Sequence, residues 1–140
     1  FQKVIPDYLD TENKLVADAK YIPLHRFDRL DADRAAAVYY KTIMYMYRFN
    51  AKKGFLFHPC NNADIEYIKK QQAGSPSRLS HLNIDEENTQ IFADYKIIDT
   101  AGCLHELGMI IPDADDYGEF CENMKKVEHN YNEKIKEFTE

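Results

Sequence analysis

Apolar positions along this chain follow two periods, and the switches between them mark its elements. Residues 4–9 and 15–22 are apolar runs of strand length separated by the polar Asp10-Thr11-Glu12-Asn13, which predicts a hairpin. Residues 34–49 are rich in alanine and follow Asp31-Ala32-Asp33, either aspartate a natural N-cap. A helix is expected there, closed by Asn50 and Gly54. Gly54-Phe55-Leu56-Phe57-His58-Pro59 reads as a short strand stopped by its proline. Residues 61–88 form a polar insertion, with a helix over 63–72 and the breaker run Ala73-Gly74-Ser75-Pro76-Ser77. A strand over 89–98 follows, then a short helix over 102–107 ended by Gly108, then the extended link Met109-Ile110-Ile111-Pro112. The last element is a long helix over 116–138. Its stripe of Phe120, Met124, Val127, Tyr131, Ile135 and Phe138, at spacings of three and four, is expected to pack on the chain's own sheet. Docking of a partner, or of a second copy in a homodimer, is the alternative use of that stripe.

Composition narrows the class. With 140 residues, 44% of them apolar, the chain can bury one core, and a single domain over 1–140 is expected. Its parts are core motifs over 1–60, the insertion over 61–88, and a C-terminal strand and helices over 89–140. No run approaches the roughly 18 apolar residues of a membrane span, and no signal peptide is visible. Cys60, Cys103 and Cys121 are odd in number and scattered, which suggests reduced thiols in a cytoplasmic protein. His58 and Cys60 read as a strand end rather than half a zinc site, and His105 reads as structural. The net charge is −6, with acids gathered at Asp113, Asp115, Asp116, Glu119 and Glu122. Basic residues collect elsewhere, at Lys41, Arg48, Lys52, Lys53, Lys69, Lys70 and Arg78. There are no internal repeats and no glycine-rich phosphate loop.

The predicted hairpin holds the chemistry. Asp7, Asp18 and Lys20 sit inside its apolar runs, where a charge is costly unless something pairs or binds it. Alternation places Val16, Asp18, Lys20 and Ile22 on one face and Leu15, Ala17, Ala19 and Tyr21 on the other. A symmetric four-residue turn would set Asp7 opposite Val16 and diagonal to Asp18, about 7–8 Å away on the same face. Two carboxylates could then share one hard cation, since Mg²⁺ commonly takes only one or two of them. The small Ala17 and Ala19 leave room on the reverse face for a closely packed helix.

Pro6-Asp7 followed ten residues later by Asp18-Ala19-Lys20 resembles the paired motif of the PD-(D/E)XK nuclease superfamily. The order hairpin, helix, strand is similar to the middle of that superfamily's core. More narrowly it resembles the RecB-like nucleases and the nuclease subunit of McrBC-type restriction systems. Their helix carries a Gln-x-x-x-Tyr element, and the matching stretch here is Lys41-Thr42-Ile43-Met44-Tyr45, with Tyr45 retained and lysine in place of glutamine. A second acid-x-Lys triplet, Asp94-Tyr95-Lys96, lacks the distant carboxylate, since Asn83 stands there, and reads as an outer strand with a solvated charge pair. The superfamily usually has a helix and a strand before its Pro-Asp strand. This chain starts at Phe1, directly on that strand, so an N-terminally truncated, C-terminal portion of a longer protein is expected.

The resemblance implies an α/β fold of the restriction-endonuclease type, a mixed central sheet flanked by helices. It implies Mg²⁺-dependent (or Mn²⁺-dependent) hydrolysis of DNA phosphodiester bonds. Asp7, Asp18 and the Ala19 backbone carbonyl would hold the metal, and Lys20 would orient the attacking water. Lys41 and Tyr45 would position the DNA. The acid surplus fits a catalytic module that depends on another region, or on a nucleotide-hydrolysing partner subunit, for DNA affinity. The opposing reading is a catalytically inactive module of the same fold for DNA binding or subunit assembly. A third is a structural domain in which Asp7 and Lys20 form a plain cross-strand ion pair.

Overall fold

The computed structural model describes residues 5–23, 26, 29–74, 82–85, 90–97 and 102–139, and they form an α/β architecture. The elements in chain order are β1 (Tyr8–Asp10), β2 (Leu15–Ala19), α1 (Ala32–Arg48), β3 (Lys53–Cys60), α2 (Asn62–Ala73), β4 (Asn83–Ile84), β5 (Ile91–Lys96), β6 (Cys103–Ile110) and α3 (Tyr117–Thr139). The six strands make one mixed sheet in the order β1-β2-β3-β6-β5-β4. β2, β3 and β6 run parallel in its centre, and the antiparallel strands β1, β5 and β4 complete the two sides.

Both faces of this sheet are covered. α1 lies on one side of β2 and β3, where Tyr45, Met46 and Ala51 pack on Val16. α2 extends that layer, with Ile65 and Ile68 against Cys60, Ile91, Ala93 and Ile110. α3 covers the other face, where Tyr131 packs with Leu15, Phe55 and Leu107, and Val127 and Ile135 add to the cluster. The long C-terminal helix thus docks on the chain's own sheet, as its stripe predicts. It stops short of closing over Ala17, leaving a groove of about 550 Å³ between Ala17, Phe57 and Ile135.

Local chemistry explains the element ends. The Asp31 side chain accepts from the Arg34 amide, so of the two candidate caps Asp31 is the N-cap of α1. At its other end Asn50 takes a left-handed conformation, and the Ala51 and Asn50 amides return to the Met46 and Tyr47 carbonyls, which is a Schellman closure. Gly54 has no part in it. Gly54 lies in β3, where a Cβ would come within 2.5 Å of Met46 Sδ and 3.2 Å of Leu104 Cδ1. Glycine there lets α1 approach the sheet. Asn61 and Asp64 form a reciprocal capping box at the start of α2.

Three expectations need correction. Pro59 does not end β3, which runs on to Cys60. The Phe57 carbonyl accepts from the Lys20 amide on the β2 side, and two residues later Pro59 faces the same side, beyond the end of β2 at Ala19. The next bond of this parallel ladder would be donated by residue 59 to the Lys20 carbonyl; proline cannot donate it, so pairing with β2 stops at Ala19 while pairing with β6 carries β3 on to Cys60. Residues 102–107 are not a helix: Cys103–Ile110 is β6, in full register with β3, and it absorbs Met109 and Ile110 of the expected link. The hairpin turn is residues 11–14, one position later than expected, because Asp10 pairs with Leu15 and its carboxylate accepts from the Asn13 amide. The breaker residues 75–77 and the ends of the predicted 89–98 strand lie outside the described residues.

Gly54→Val is expected to lower stability by about 1–3 kcal/mol through overpacking, measured by urea denaturation. Combining it with Met46→Ala should cost less than the two single changes summed. Strict additivity would mean that the α1–β3 contact does not pass through this pair.

Candidate functional site

The observed register alters the geometry of the hairpin aspartates. With Tyr8 opposite Ala17, the pairing carried one residue further sets Asp7 directly across from Asp18, not diagonal to it. Strand pairing stops at Tyr8, and the Asp7 side chain replaces it, Oδ2 accepting from the Ala19 amide at 2.8 Å. Residues in an antiparallel pair direct N–H and C=O to the same neighbour, so the Ala19 carbonyl lies on the Asp7 side of β2. Asp7 remains exposed.

Asp18 points to the α1 face and is only 4% exposed. Its Oδ2 accepts from Lys20 Nζ, and Lys20 is itself largely covered. The ion pair is therefore local to the end of β2, Asp18 to Lys20, and not the cross-strand Asp7–Lys20 pair of the structural reading. Both charges stand at the carboxyl end of a parallel strand, where open α/β sheets place their ligand crevices. A cavity of about 150 Å³ opens beside Lys20, walled by Phe57, His58, Met109 and Ile111; Asp18 does not line it.

The row that starts at Asp18 continues across the sheet. Asp18 pairs with Leu56, Leu56 with Glu106 and Glu106 with Ala93, all on the face under α1. Glu106 is 1% exposed, and its Oε2 lies 3.6 Å from Nε2 of the fully buried His58. His58 Nδ1 faces the Ile22 carbonyl at 2.9 Å, so this nitrogen carries the donated hydrogen. The Tyr39 and Tyr95 hydroxyls hydrogen-bond to each other and to Glu106. Burial first, and then the Glu106 charge, hold both hydroxyls far above the ordinary tyrosine range. The two rings meet edge to face at 5.5 Å.

His58 thus anchors the segment that follows Lys20, through Ile22, to the centre of the sheet. The motif search misses this cluster. Glu106 would have stood out by the argument that singled out Asp18, a charge inside an apolar run, had residues 103–110 been read as a strand.

The remaining candidates are dispersed. Tyr45 is buried against Val16 and Met46, and Lys41 is exposed with its ammonium 5.9 Å from the Tyr45 ring centre. Asp94 of the second triplet points to the opposite face, toward α3, and accepts from His105 Nδ1 at 2.7 Å. His105 has a structural role, as expected, and stacks on Phe55. Cys60, Cys103 and Cys121 are free thiols, and burial raises that of Cys60 to about 12.

Among the described residues no three His, Cys, Asp or Glu side chains form a ready metal cage. The donors at the hairpin are two aspartates and a backbone carbonyl, all hard oxygens, which fit a magnesium-type ion that keeps most of its water. Among the described residues no helix is long and apolar enough to cross a membrane. Comparison with family models, with curated proteins and with solved structures yields no match.

Glu106→Ala leaves Tyr39, Tyr95 and His58 facing a buried void and is expected to cost about 3–5 kcal/mol. Glu106→Gln, which still accepts from the tyrosines, should cost less. Equilibrium unfolding measures both, and a loss below about 1 kcal/mol for the alanine variant would show that the cluster does not act as one network.

Proposed function

We propose that this protein is a metal-dependent deoxyribonuclease that hydrolyses phosphodiester bonds at Asp7, Asp18 and Lys20. The observation that carries the reading is the Asp18–Lys20 pair. A buried carboxylate and a largely covered ammonium stand at the carboxyl end of a central strand, across from an exposed aspartate. Sequestering such a pair gains little stability over apolar side chains, whereas a phosphate and a divalent cation would use both charges. The order β1, β2, α1, β3 and the mixed sheet are compatible with a restriction-endonuclease-like core, and we infer that class for the fold.

Asp7, Asp18 and the Ala19 carbonyl would hold Mg²⁺ or Mn²⁺. Such an ion supplies Lewis acidity toward a phosphoryl oxygen and lowers the pKa of bound water. Asp7 keeps the Ala19 backbone in place by accepting a hydrogen bond from the Ala19 amide. Lys20, once its partner carboxylate is drawn elsewhere, has an ammonium to orient the attacking water and to neutralise charge growing on the phosphorane. Phe57, His58 and Ile111 wall the cavity beside Lys20, and His58 tethers the chain beyond Lys20. Lys41, exposed on α1, would contact a backbone phosphate, while Tyr45 supports the helix from within. A nucleotide-hydrolysing partner and a cytoplasmic setting belong to the same proposal.

A second reading, a catalytically inactive module for DNA binding or assembly, is favoured by one observation. The Asp18–Lys20 pair already satisfies both charges without a metal.

In the full-length protein, Lys20→Ala is expected to slow Mg²⁺-dependent plasmid cleavage at least 10²-fold while oligonucleotide affinity stays within about threefold. Cleavage near the wild-type rate would move the chemistry to other residues. Wild-type protein that leaves the plasmid intact with either Mg²⁺ or Mn²⁺ would select the inactive module. Asp18→Asn should abolish weak Mn²⁺ binding in calorimetric titration, and unchanged affinity would remove the metal assignment.

A further inference from the structure

The outer face of α1 has a composition unlike the rest of the chain. From Arg34 to Ala63 there is no aspartate or glutamate, while Arg34, Lys41, Arg48, Lys52 and Lys53 fall within that stretch, in a chain whose net charge is −6. Tyr40, Met44 and Tyr47 are 63%, 60% and 60% exposed, at spacings of four and three that place them on one side of the helix. Lys41 and Arg48 follow Tyr40 and Tyr47 by one position and flank this strip. Two tyrosine rings and a thioether, left in water along one helix face, form an unusually apolar strip for a solvated surface. Bordered on one side by cations alone, the strip fits a partner that is both anionic and flat. The nearest acid on that side, Asp33, belongs to the first turn of the helix.

We propose that this face binds single-stranded nucleic acid, with bases stacking on Tyr40 and Tyr47 and phosphates running past Lys41, Arg48 and Lys52. Along the helix axis Tyr40 and Tyr47 are about 10 Å apart, the length of three stacked steps of about 3.4 Å. Stacking needs unpaired bases, since a duplex offers ring faces only at its ends, and an aromatic strip beside a cationic track is the general form of a single-strand site. α1 also roofs the sheet face that carries Asp18 and Lys20, so a strand held here would lie on the same side of the sheet as that pair. The inference rests on the nuclease reading for its biological sense but not for its physics, and it narrows the substrate to DNA with a single-stranded region.

The test uses the full-length protein without divalent metal and a fluorescein-labelled 20-nucleotide oligodeoxythymidine, with a 20-base-pair duplex as comparison, followed by anisotropy. The single strand is expected to bind more tightly than the duplex. Tyr40→Ala combined with Tyr47→Ala should weaken single-strand binding at least tenfold and change duplex binding by less than threefold. Arg48→Ala with Lys52→Ala should lower the slope of log affinity against log salt by about 0.7 per cation. Single-strand affinity unchanged in the tyrosine variant overturns the proposal, as does equal or tighter binding of the duplex by wild type. Dimerisation by light scattering that the tyrosine changes abolish would also overturn it, assigning the face to a second copy of the chain. The two readings fail separately: single-strand binding that depends on the tyrosines, without plasmid cleavage, leaves the platform standing and removes the nuclease.

Discussion

β3 and β6 are covered on both faces, and every polar group they carry must find its partner inside the protein. The rest of the architecture answers to that constraint. His58 and Glu106 come from these two strands and face each other under α1, with Tyr39 from the helix and Tyr95 from β5 closing the cluster. One network therefore joins four elements, two from each half of the chain. Unlike an apolar contact, it tolerates no slip: a shift of one residue in the β3–β6 register would turn Glu106 to the α3 face and leave His58 opposite a different residue.

The same constraint acts on Asp18 and Lys20 with a different outcome. Their row belongs to the α1 face, like Glu106, but β2 ends at Ala19. The network at Glu106 is shared among side chains of four elements, and a pocket of about 400 Å³ reaches its Tyr39 and Tyr95, whereas the pair at Asp18 stands alone at a strand end, across from the exposed Asp7. A polar network shared among elements is explained by stability and register alone. A covered ion pair at a strand end, across from an exposed carboxylate, would have a second use for its charges in the proposed site. This contrast, more than the spacing of the motif, separates a candidate site from a polar core.

How much of this was legible depended on whether an element has one covered face or two. Amphipathic elements announce themselves: α3 shows its stripe, α1 its cap at Asp31, and the hairpin its polar turn. β6 has both faces buried, so Cys103-Leu104-His105-Glu106-Leu107-Gly108 shows no alternation, and its leucines with a following glycine imitate a helix and its C-terminal stop. That misreading concealed Glu106 and, through it, the importance of His58. The hairpin register could not be read for a smaller reason. Asp10 belongs at once to the polar run and to the strand, and only the bond from the Asn13 amide to its carboxylate decides which. Moving the turn by one position brought Asp7 from a diagonal placement to one directly across from Asp18.

Pro59 and Gly54 point to the same lesson from opposite directions. A proline is expected to stop a strand, and a glycine to close a helix, because each is judged by what it does to its own backbone. In this sheet their meaning comes from the neighbour. Pro59 leaves its own strand intact through β6 but cannot donate the next bond to the Lys20 carbonyl, so it ends the pairing of β2 instead. Gly54 is required since Met46 occupies the space its side chain would take, and this close approach holds α1 down over the Asp18 row. Both residues belong to β3, and each acts on the geometry around Asp18 without touching it. The strand that carries none of the hairpin motif therefore governs where the pairing of β2 ends and how tightly the site is roofed.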